Sequence, residues 1–391
     1  MEQCFSIRTK SASCAARAGE LQTGHGVVQT PCFMPIGTVG AVKHVTPAEL
    51  RAAGAQIVLS NTYHLMLRPG TDYLAARGGL HAFMRWDGPI LTDSGGYQAF
   101  SLGARTAARG NAALARFTDD GVRFRSHVDG SAQELTPESV VDHQRKIGSD
   151  IAMVLDVCPP QPCTRDVLEA AVEQTTRWAA RAKAHASRVP NPRAQKLFGI
   201  VQGGSDEVLR RRSAEDLVAL DFDGYAIGGV AVGEEQSKIR EAIAMTAPLL
   251  PTDKPRYLMG LGTPSDIVHA VRCGVDMFDC VLPTRDARHG RTYAWVDRSA
   301  HLLDARTSMD DAWYTRFAIG RAEFRASDEP IDAACPCPTC RTFDRAYLRH
   351  LFAIGEPLGA RLLTLHNLTF YFELMRRLRE CVELLGSDDG R

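Results

Sequence analysis

Leu197-Phe198-Gly199-Ile200-Val201-Gln202, followed after a helix-like stretch by Gly224-Tyr225-Ala226-Ile227-Gly228-Gly229, decides the fold. Each segment is a nearly continuous apolar run, short for a helix, that stops at a polar residue or a glycine. Such runs fit parallel strands buried on both faces. The same unit recurs upstream in Cys32-Phe33-Met34-Pro35-Ile36, Gln56-Ile57-Val58-Leu59-Ser60, Pro89-Ile90-Leu91-Thr92 and Ile151-Ala152-Met153-Val154-Leu155. It recurs downstream in Arg256-Tyr257-Leu258-Met259 and Val275-Asp276-Met277-Phe278. Helix starts lie between the runs at Thr46-Pro47, Thr136-Pro137 and Thr263-Pro264, each a capping residue before a proline at the first helical position. Eight strand–helix alternations predict an α/β fold, a (β/α)8 barrel of the TIM type. The alternating segment Asp120–Ser126 with the turn Asp129-Gly130 predicts a surface hairpin inserted near 104–135. The expected division is a barrel over 1–290 and a metal-binding, then helical, appendage over 291–391.

The 391 residues exceed one barrel of about 250 residues, which leaves room for that appendage. Apolar residues make up 45% and charged residues 24%, which excludes a disordered chain. Lys+Arg and Asp+Glu both number 46, so any nucleic-acid affinity must come from a local basic face. No apolar run approaches the roughly 18 residues of a membrane span, and the start lacks the pattern of a secretory signal. The expectation is a cytoplasmic protein. The cysteines number eleven and are mostly scattered, which fits reduced thiols rather than a disulfide framework.

In a barrel of this type the strand C-termini open on one face, and that face holds the active site. The runs end at Asn61, Asp93, Asp156, Gln202, Gly228-Gly229, Gly260 and Asp279, so three carboxylates and a glutamine are expected in one pocket. The alternative is that these aspartates merely cap the following helices. After Asp93, the glycines of Ser94-Gly95-Gly96-Tyr97 let a ligand approach the backbone, and Tyr97 suits stacking on a planar ring. Asp279 is followed by Arg285 and Arg288, which suit phosphates. Cys335, Cys337, Cys340 and His366 offer three thiolates and an imidazole, a donor set that Zn²⁺ prefers. Four protein ligands leave no open position, so one structural zinc per subunit is expected.

Together these motifs resemble the tRNA-guanine transglycosylases, or queuine tRNA-ribosyltransferases, in their bacterial form. The resemblance runs from about Thr30 to about Arg377. It includes Thr30-Pro31-Cys32-Phe33-Met34-Pro35, Ser60-Asn61-Thr62-Tyr63-His64-Leu65, Leu91–Gln98, Val201-Gln202-Gly203-Gly204, Phe222–Gly229, Lys254–Gly260 and the Asp279 block. It implies a pentosyltransferase that exchanges the wobble guanine of GUN-anticodon tRNAs (Asp, Asn, His, Tyr) for the 7-deazaguanine base preQ1, in queuosine biosynthesis. Asp279 would be the nucleophile at the ribose carbon and Asp93 the general acid/base. The base would be bound by Asp93, Ser94, Gly95, Gly96, Tyr97, Asp156, Gln202, Gly229 and Met259. The tRNA anticodon loop would meet Gly260, Leu261, Gly262, Thr263, Pro264, Ser265 and Asp266, and also Thr284, Arg285, Asp286, Ala287 and Arg288. The resemblance further implies a homodimer.

One departure bears on the incoming base. Bacterial members carry Asp-Glu-Cys where this chain has Asp156-Val157-Cys158. Cys158 and Val232 favour preQ1, whereas Val157 is like the enzymes that use queuine, so queuine is the alternative substrate. A non-catalytic RNA-binding partner subunit is the alternative from another class, and it would lack the aspartates present here. A metallohydrolase would need a metal position on the barrel face, away from the Cys335 cluster.

Overall fold

The computed structural model describes residues 4–98, 115–304 and 313–386. The chain begins with an antiparallel sheet of β1 (Phe5–Lys10), β2 (Arg17–Thr23) and β3 (Gly26–Thr30). Next come β4 (Cys32–Met34), β5 (Val58–Asn61) and β6 (Ile90–Asp93), then the small antiparallel sheet of β7 (Ala115–Phe117), β8 (Val122–Arg125) and β9 (Ala132–Leu135). The series continues with β10 (Ile151–Met153), β11 (Lys196–Val201), β12 (Gly224–Ile227), β13 (Arg256–Leu258) and β14 (Met277–Asp279). The pair β15 (Arg291–Trp295) and β16 (Tyr314–Ala318) follows.

All eight apolar runs become strands of one parallel sheet, in the order β4-β14-β13-β12-β11-β10-β6-β5. The two ends of that order meet through a parallel bridge between Ile36 and Leu59, where Leu59 N donates to Pro35 O at 3.0 Å and Gly37 N to Leu59 O at 2.7 Å. The sheet therefore closes into the expected barrel. Its strands are buried on both faces, and for this reason their sequences read as apolar runs rather than alternations. The predicted helix starts are observed: the side chains of Thr46, Thr136 and Thr263 each accept from the backbone N–H three residues on, with proline next to the cap. Register brings the functional ends level, with Asn61 opposite Asp93 and Asp279 opposite Met34.

β8 and β9 form the expected hairpin around Asp129-Gly130, while residues 104–114 of that expectation lie outside the described residues. The N-terminal sheet is an addition that the apolar runs do not announce. Beyond β14 the chain forms the helices Pro338–Thr342, Arg345–Ala353 and the long Pro357–Gly386. That last helix packs back onto the barrel. Tyr371 Oη donates to Gly262 O at 2.7 Å, Arg379 Nη1 to Pro31 O at 2.7 Å, and Asn367 Nδ2 to Pro283 O and Arg291 O at 3.0 Å each. No helix among the described residues is long and apolar enough to cross a membrane.

Candidate active site and metal centre

The C-terminal strand ends surround a cavity of about 330 Å³, in the size range of small-ligand sites. Asp93, Ser94, Tyr97, Asp156, Gly229, Met259 and Asp279 line it, with Gly228, Val230 and Cys158. The three aspartates converge, as the strand ends predict. The helix-cap alternative fails for Asp93 and Asp279, whose oxygens accept from other segments.

Asp93 closes β6. Its Oδ1 accepts from Thr62 N at 3.1 Å, and its Oδ2 accepts from Asn61 Nδ2 and from Gln98 Nε2. Burial pushes its pKa up to about 8; the Thr62 N–H opposes this, and the charges of Asp279 and Asp156 add to it. Asp156 takes Ser94 Oγ on Oδ1 at 3.2 Å and Gln202 Nε2 on Oδ2 at 2.8 Å, and burial raises it to about 6 against those two bonds. Asp279 Oδ1 accepts from Tyr257 Oη at 2.5 Å and Gly260 N at 2.7 Å. Burial again raises its pKa, while the Tyr257 and Gly260 bonds act the other way. Its Oδ2 accepts no hydrogen bond among the described residues. One carboxylate oxygen is thus fixed and the other left uncommitted, which is a nucleophile's arrangement.

Gln202 lies behind this surface, next to Asp156. Gly95 has φ +84°, and a Cβ there would come within 2.9 Å of the Tyr63 side chain, so the turn after β6 needs glycine. Tyr97 is 46% exposed at the cavity mouth, which leaves its ring free to stack. Val157 points elsewhere. It packs against the hydrophobic cluster that contains Tyr63, Phe124 and Trp178, and the cavity is lined by its neighbours Asp156 and Cys158 instead.

The two stretches expected to meet RNA are less exposed than their sequences suggest. In Gly260–Asp266 only Gly260 is exposed and Thr263 half-buried, while Leu261, Gly262, Pro264, Ser265 and Asp266 are buried. Asp266 accepts from Gln236, Arg240 and Thr263. In Thr284–Arg288, Arg285 is exposed and Arg288 half-buried, but Thr284, Asp286 and Ala287 are buried. Asp286 accepts from Tyr293 Oη and forms a bidentate pair with Arg316.

Away from the barrel face, Cys335, Cys337 and Cys340 place their Sγ atoms 3.6, 3.5 and 3.2 Å from His366 Nδ1. All four donor atoms lie within 4.8 Å of one another. His366 Nε2 sits 2.6 Å from Tyr293 O, which as an acceptor fixes the Nε2–H tautomer and turns the Nδ1 lone pair to the thiols. Donor set, spacing and outer partner fit a tetrahedral metal site. A second group, His25, His81 and Asp150, does not fit one. Its imidazoles are stacked 3.6 Å apart at 12°, the ring nitrogens His25 Nδ1 and His81 Nε2 are already bonded to the Asp150 carboxylate, and His81 Nδ1 is buried with no partner among the described residues.

Sequence reasoning missed three contributors. Tyr257 reads as part of an apolar strand, yet its hydroxyl holds Asp279. Asn61 was visible only as a strand end, and its amide holds Asp93. Glu234 accepts from Ala231 N at 2.7 Å and Val232 N at 2.9 Å, and only the folded loop reveals this.

The family model described as queuine tRNA-ribosyltransferase matches residues 12–384. The queuine tRNA-ribosyltransferase of Nitrosomonas eutropha is 51% identical over 368 residues, covering 94% of this chain and 93% of that one. That of Nitratidesulfovibrio vulgaris is 50% identical over 369 residues, covering 94% and 90%, and that of Pelotomaculum thermopropionicum is 48% identical over 382 residues, covering 98% and 95%. The chain belongs to the queuine tRNA-ribosyltransferase family.

Proposed function

We propose that this family member is a tRNA-guanine transglycosylase that replaces the wobble guanine of GUN-anticodon tRNAs with preQ1 through a covalent aspartyl-ribose intermediate. The observation that carries the reading is the pairing of Asp279, with one free carboxylate oxygen, and Asp93, held protonated near neutral pH, in one cavity. Asp279 Oδ2 attacks the ribose anomeric carbon, the bond to guanine N9 breaks, and Asp93 supplies the proton that the leaving base needs. The incoming base then gives its N9 proton to Asp93 and attacks the same carbon, which frees the Asp279 carboxylate. Two inversions give net retention, the logic of a retaining glycosidase with a base in place of water. The proton lent in the first half returns in the second. No redox or nucleotide cofactor enters this balance.

The nucleotide must leave its loop stack to reach the cavity. In this reading Asp156 accepts from a purine edge, Gln202 serves that edge from behind the surface through its bond to Asp156 Oδ2, Tyr97 and Met259 cover the faces, and Arg285 and Arg288 meet neighbouring phosphates. The buried members of the two RNA stretches would act by shaping this rim. Preference for preQ1 is supported by the Val230–Ala231 peptide. Glu234 takes its N–H, so in a planar trans peptide the Val230 carbonyl turns the opposite way, as an acceptor suited to an aminomethyl group. Val157, packed away from the cavity, leaves this arrangement undisturbed.

Zn²⁺ is the metal that the three thiolates and the imidazole of His366 would hold, in a structural role remote from the exchange. We read the chain as a cytoplasmic homodimer. In support, the appendage carries exposed Tyr347, stacked on Phe343, and exposed Ile354 and Leu358. The deciding experiment offers preQ1 and queuine separately to enzyme and tRNA-Tyr labelled at the wobble guanine. Release with preQ1 alone supports the full reading, and release with queuine assigns salvage of the finished base. No release with either, from folded metal-loaded protein, overturns catalysis in favour of a partner subunit.

A further inference from the structure

Arg210 lies on the helix Glu207–Ala219 within Arg210-Arg211-Arg212. Its neighbours behave as surface cations: Arg211 pairs with Glu207, and Arg212 with Glu169 and Glu173. Arg210 is fully buried. Taking a guanidinium out of water costs several kcal/mol, usually offset by a carboxylate. Here its hydrogen bonds go to four backbone carbonyls. Nε donates to Gly204 O at 2.7 Å, Nη1 to Val201 O at 3.2 Å and Gly228 O at 2.7 Å, and Nη2 to Gly229 O at 3.0 Å. Burial lowers its pKa to about 10, which leaves it a cation at neutral pH.

These carbonyls belong to two loops, one after β11 carrying Gln202 and one after β12 carrying Gly228-Gly229. Both Gly228 and Gly229 line the cavity, while Arg210 lies behind them. In a planar trans peptide a carbonyl and the next N–H point in opposite directions. Holding Gly228 O and Gly229 O to the rear therefore turns the N–H groups of Gly229 and Val230 forward together, where the Gly229 N–H also reaches the Cys158 thiol of the cavity wall. Gly229 has φ +60°, the left-handed conformation that lets successive N–H groups share one side and form an anion-accepting nest. A Cβ on Gly229 would come within 2.3 Å of Gln202 Oε1, so the corner has no room for a side chain.

We propose that Arg210 is a positioning residue for base recognition, holding the Gly228-Gly229 corner so that two backbone N–H groups receive the 6-oxo oxygen of a guanine-type base. Its charge, one peptide away, strengthens those donors toward an electron-rich oxygen. The proposal rests on the cavity being the base site, and it adds which group sets the corner's polarity.

The test is direct calorimetric binding to the zinc-loaded protein, independent of exchange. The two probes are 7-deazaguanine and 2-amino-7-deazapurine, which lacks the 6-oxo oxygen and with it the N1–H. The N1–H difference faces Asp156 and is common to wild type and variants, so the change in preference on substitution at Arg210 is what reports the 6-oxo contact. Wild type is expected to prefer 7-deazaguanine by about tenfold, the worth of hydrogen bonds to a charge-reinforced site. Arg210→Met should shrink that preference to within about threefold, and Arg210→Lys should keep part of it. Arg211→Met serves as the surface control and should leave it unchanged. A purely structural role would weaken both probes alike, and that result overturns the proposal, as does wild type without a preference. If Arg210→Met does not fold, Arg210→Lys decides, and an undiminished preference in that folded variant is contrary. Base discrimination without guanine release would overturn the catalytic reading while leaving this one standing.

Discussion

Two strands of the barrel, β10 and β14, have an aspartate at or near each end, and the two ends treat them differently. On the floor, Asp276 precedes β14 and is gripped by Arg17, whose Nε and Nη2 donate at 2.9 and 2.6 Å, with Arg256 N at 2.7 Å. Asp150 precedes β10 and accepts from His25 Nδ1 at 2.8 Å, His81 Nε2 at 3.1 Å and Ile90 N at 2.8 Å. The His81 and His25 bonds, with Ile90 N, hold its pKa below the usual range despite burial. At the mouth, Asp156 and Asp279 are as buried, yet among the described residues no cation bonds to either, and burial drives their proton affinity up. Burial raises the Asp276 pKa as well, against the Arg17 ion pair, so what the two floor carboxylates share is charged or ionisable side chains that clasp them to distant segments. The mouth leaves Asp156 and Asp279 without a charged partner, which suits the roles proposed for them, accepting from a base edge and attacking a ribose carbon. Residue type and burial are the same, and the partner decides the role.

The largest effect expected from this contrast is at the mouth. Asp279→Asn should lower guanine release by about 10⁴-fold or more in single-turnover assays, with tRNA binding and thermal stability retained. The floor should answer the other way. Asp276→Asn leaves Arg17 buried without its counter-charge and should cost about 3–5 kcal/mol in denaturant unfolding, while activity per folded molecule persists. Loss of exchange without loss of stability there would break the comparison. Cys337→Ala belongs to neither end. It should abolish metal binding at the Cys335 cluster and lower the unfolding midpoint by about 5–10 °C, read by metal analysis and calorimetry, before exchange at the barrel face suffers. A fully stable, metal-free variant would contradict the structural role.

The smallest effect is a pair of opposite pH slopes. Folded Asp93 takes up its proton at about pH 8, against about 3.9 unfolded, so between those values the folded chain holds the extra proton. Its contribution to stability is full below about pH 4 and is lost as pH rises toward 8; Asp93→Asn should flatten that slope in pH-dependent melts. Asp150, with its lowered pKa, contributes above the unfolded carboxylate value and loses that contribution as pH falls through its folded one. Asp150→Asn should therefore flatten only the acid limb.

The barrel was legible because burial on both faces writes itself into the sequence as eight apolar runs, and their polar endings marked the mouth. The partners were not. Arg17 and Asp276 are 259 positions apart, and nothing local in either links them. Arg210 sits in a triplet that reads as a charged helix face, and only the loops packed against the helix single it out. Within Gly260–Asp266 the helix start at Thr263-Pro264 was legible, but not that the capped turn faces into the protein, since that depends on Gln236 and Arg240 of another helix. The β1–β3 sheet was missed because its short alternation, Phe5 and Ile7 against Ser6 and Arg8, gives too few periods to stand out.

The long helix Pro357–Gly386 joins the metal centre, the Gly262 loop and the entry to β4 in one rigid piece. Its bond from Arg379 back to Pro31 spans 348 positions. A ribosome delivers β4 early and this helix near the end of the described chain. The flank of the first barrel strand therefore waits uncovered through most of translation, and the contacts that seal it are among the slowest kind to form. The nascent barrel is an open stave until the metal-bearing helix arrives, which makes this stretch the point at which synthesis, metal loading and closure converge.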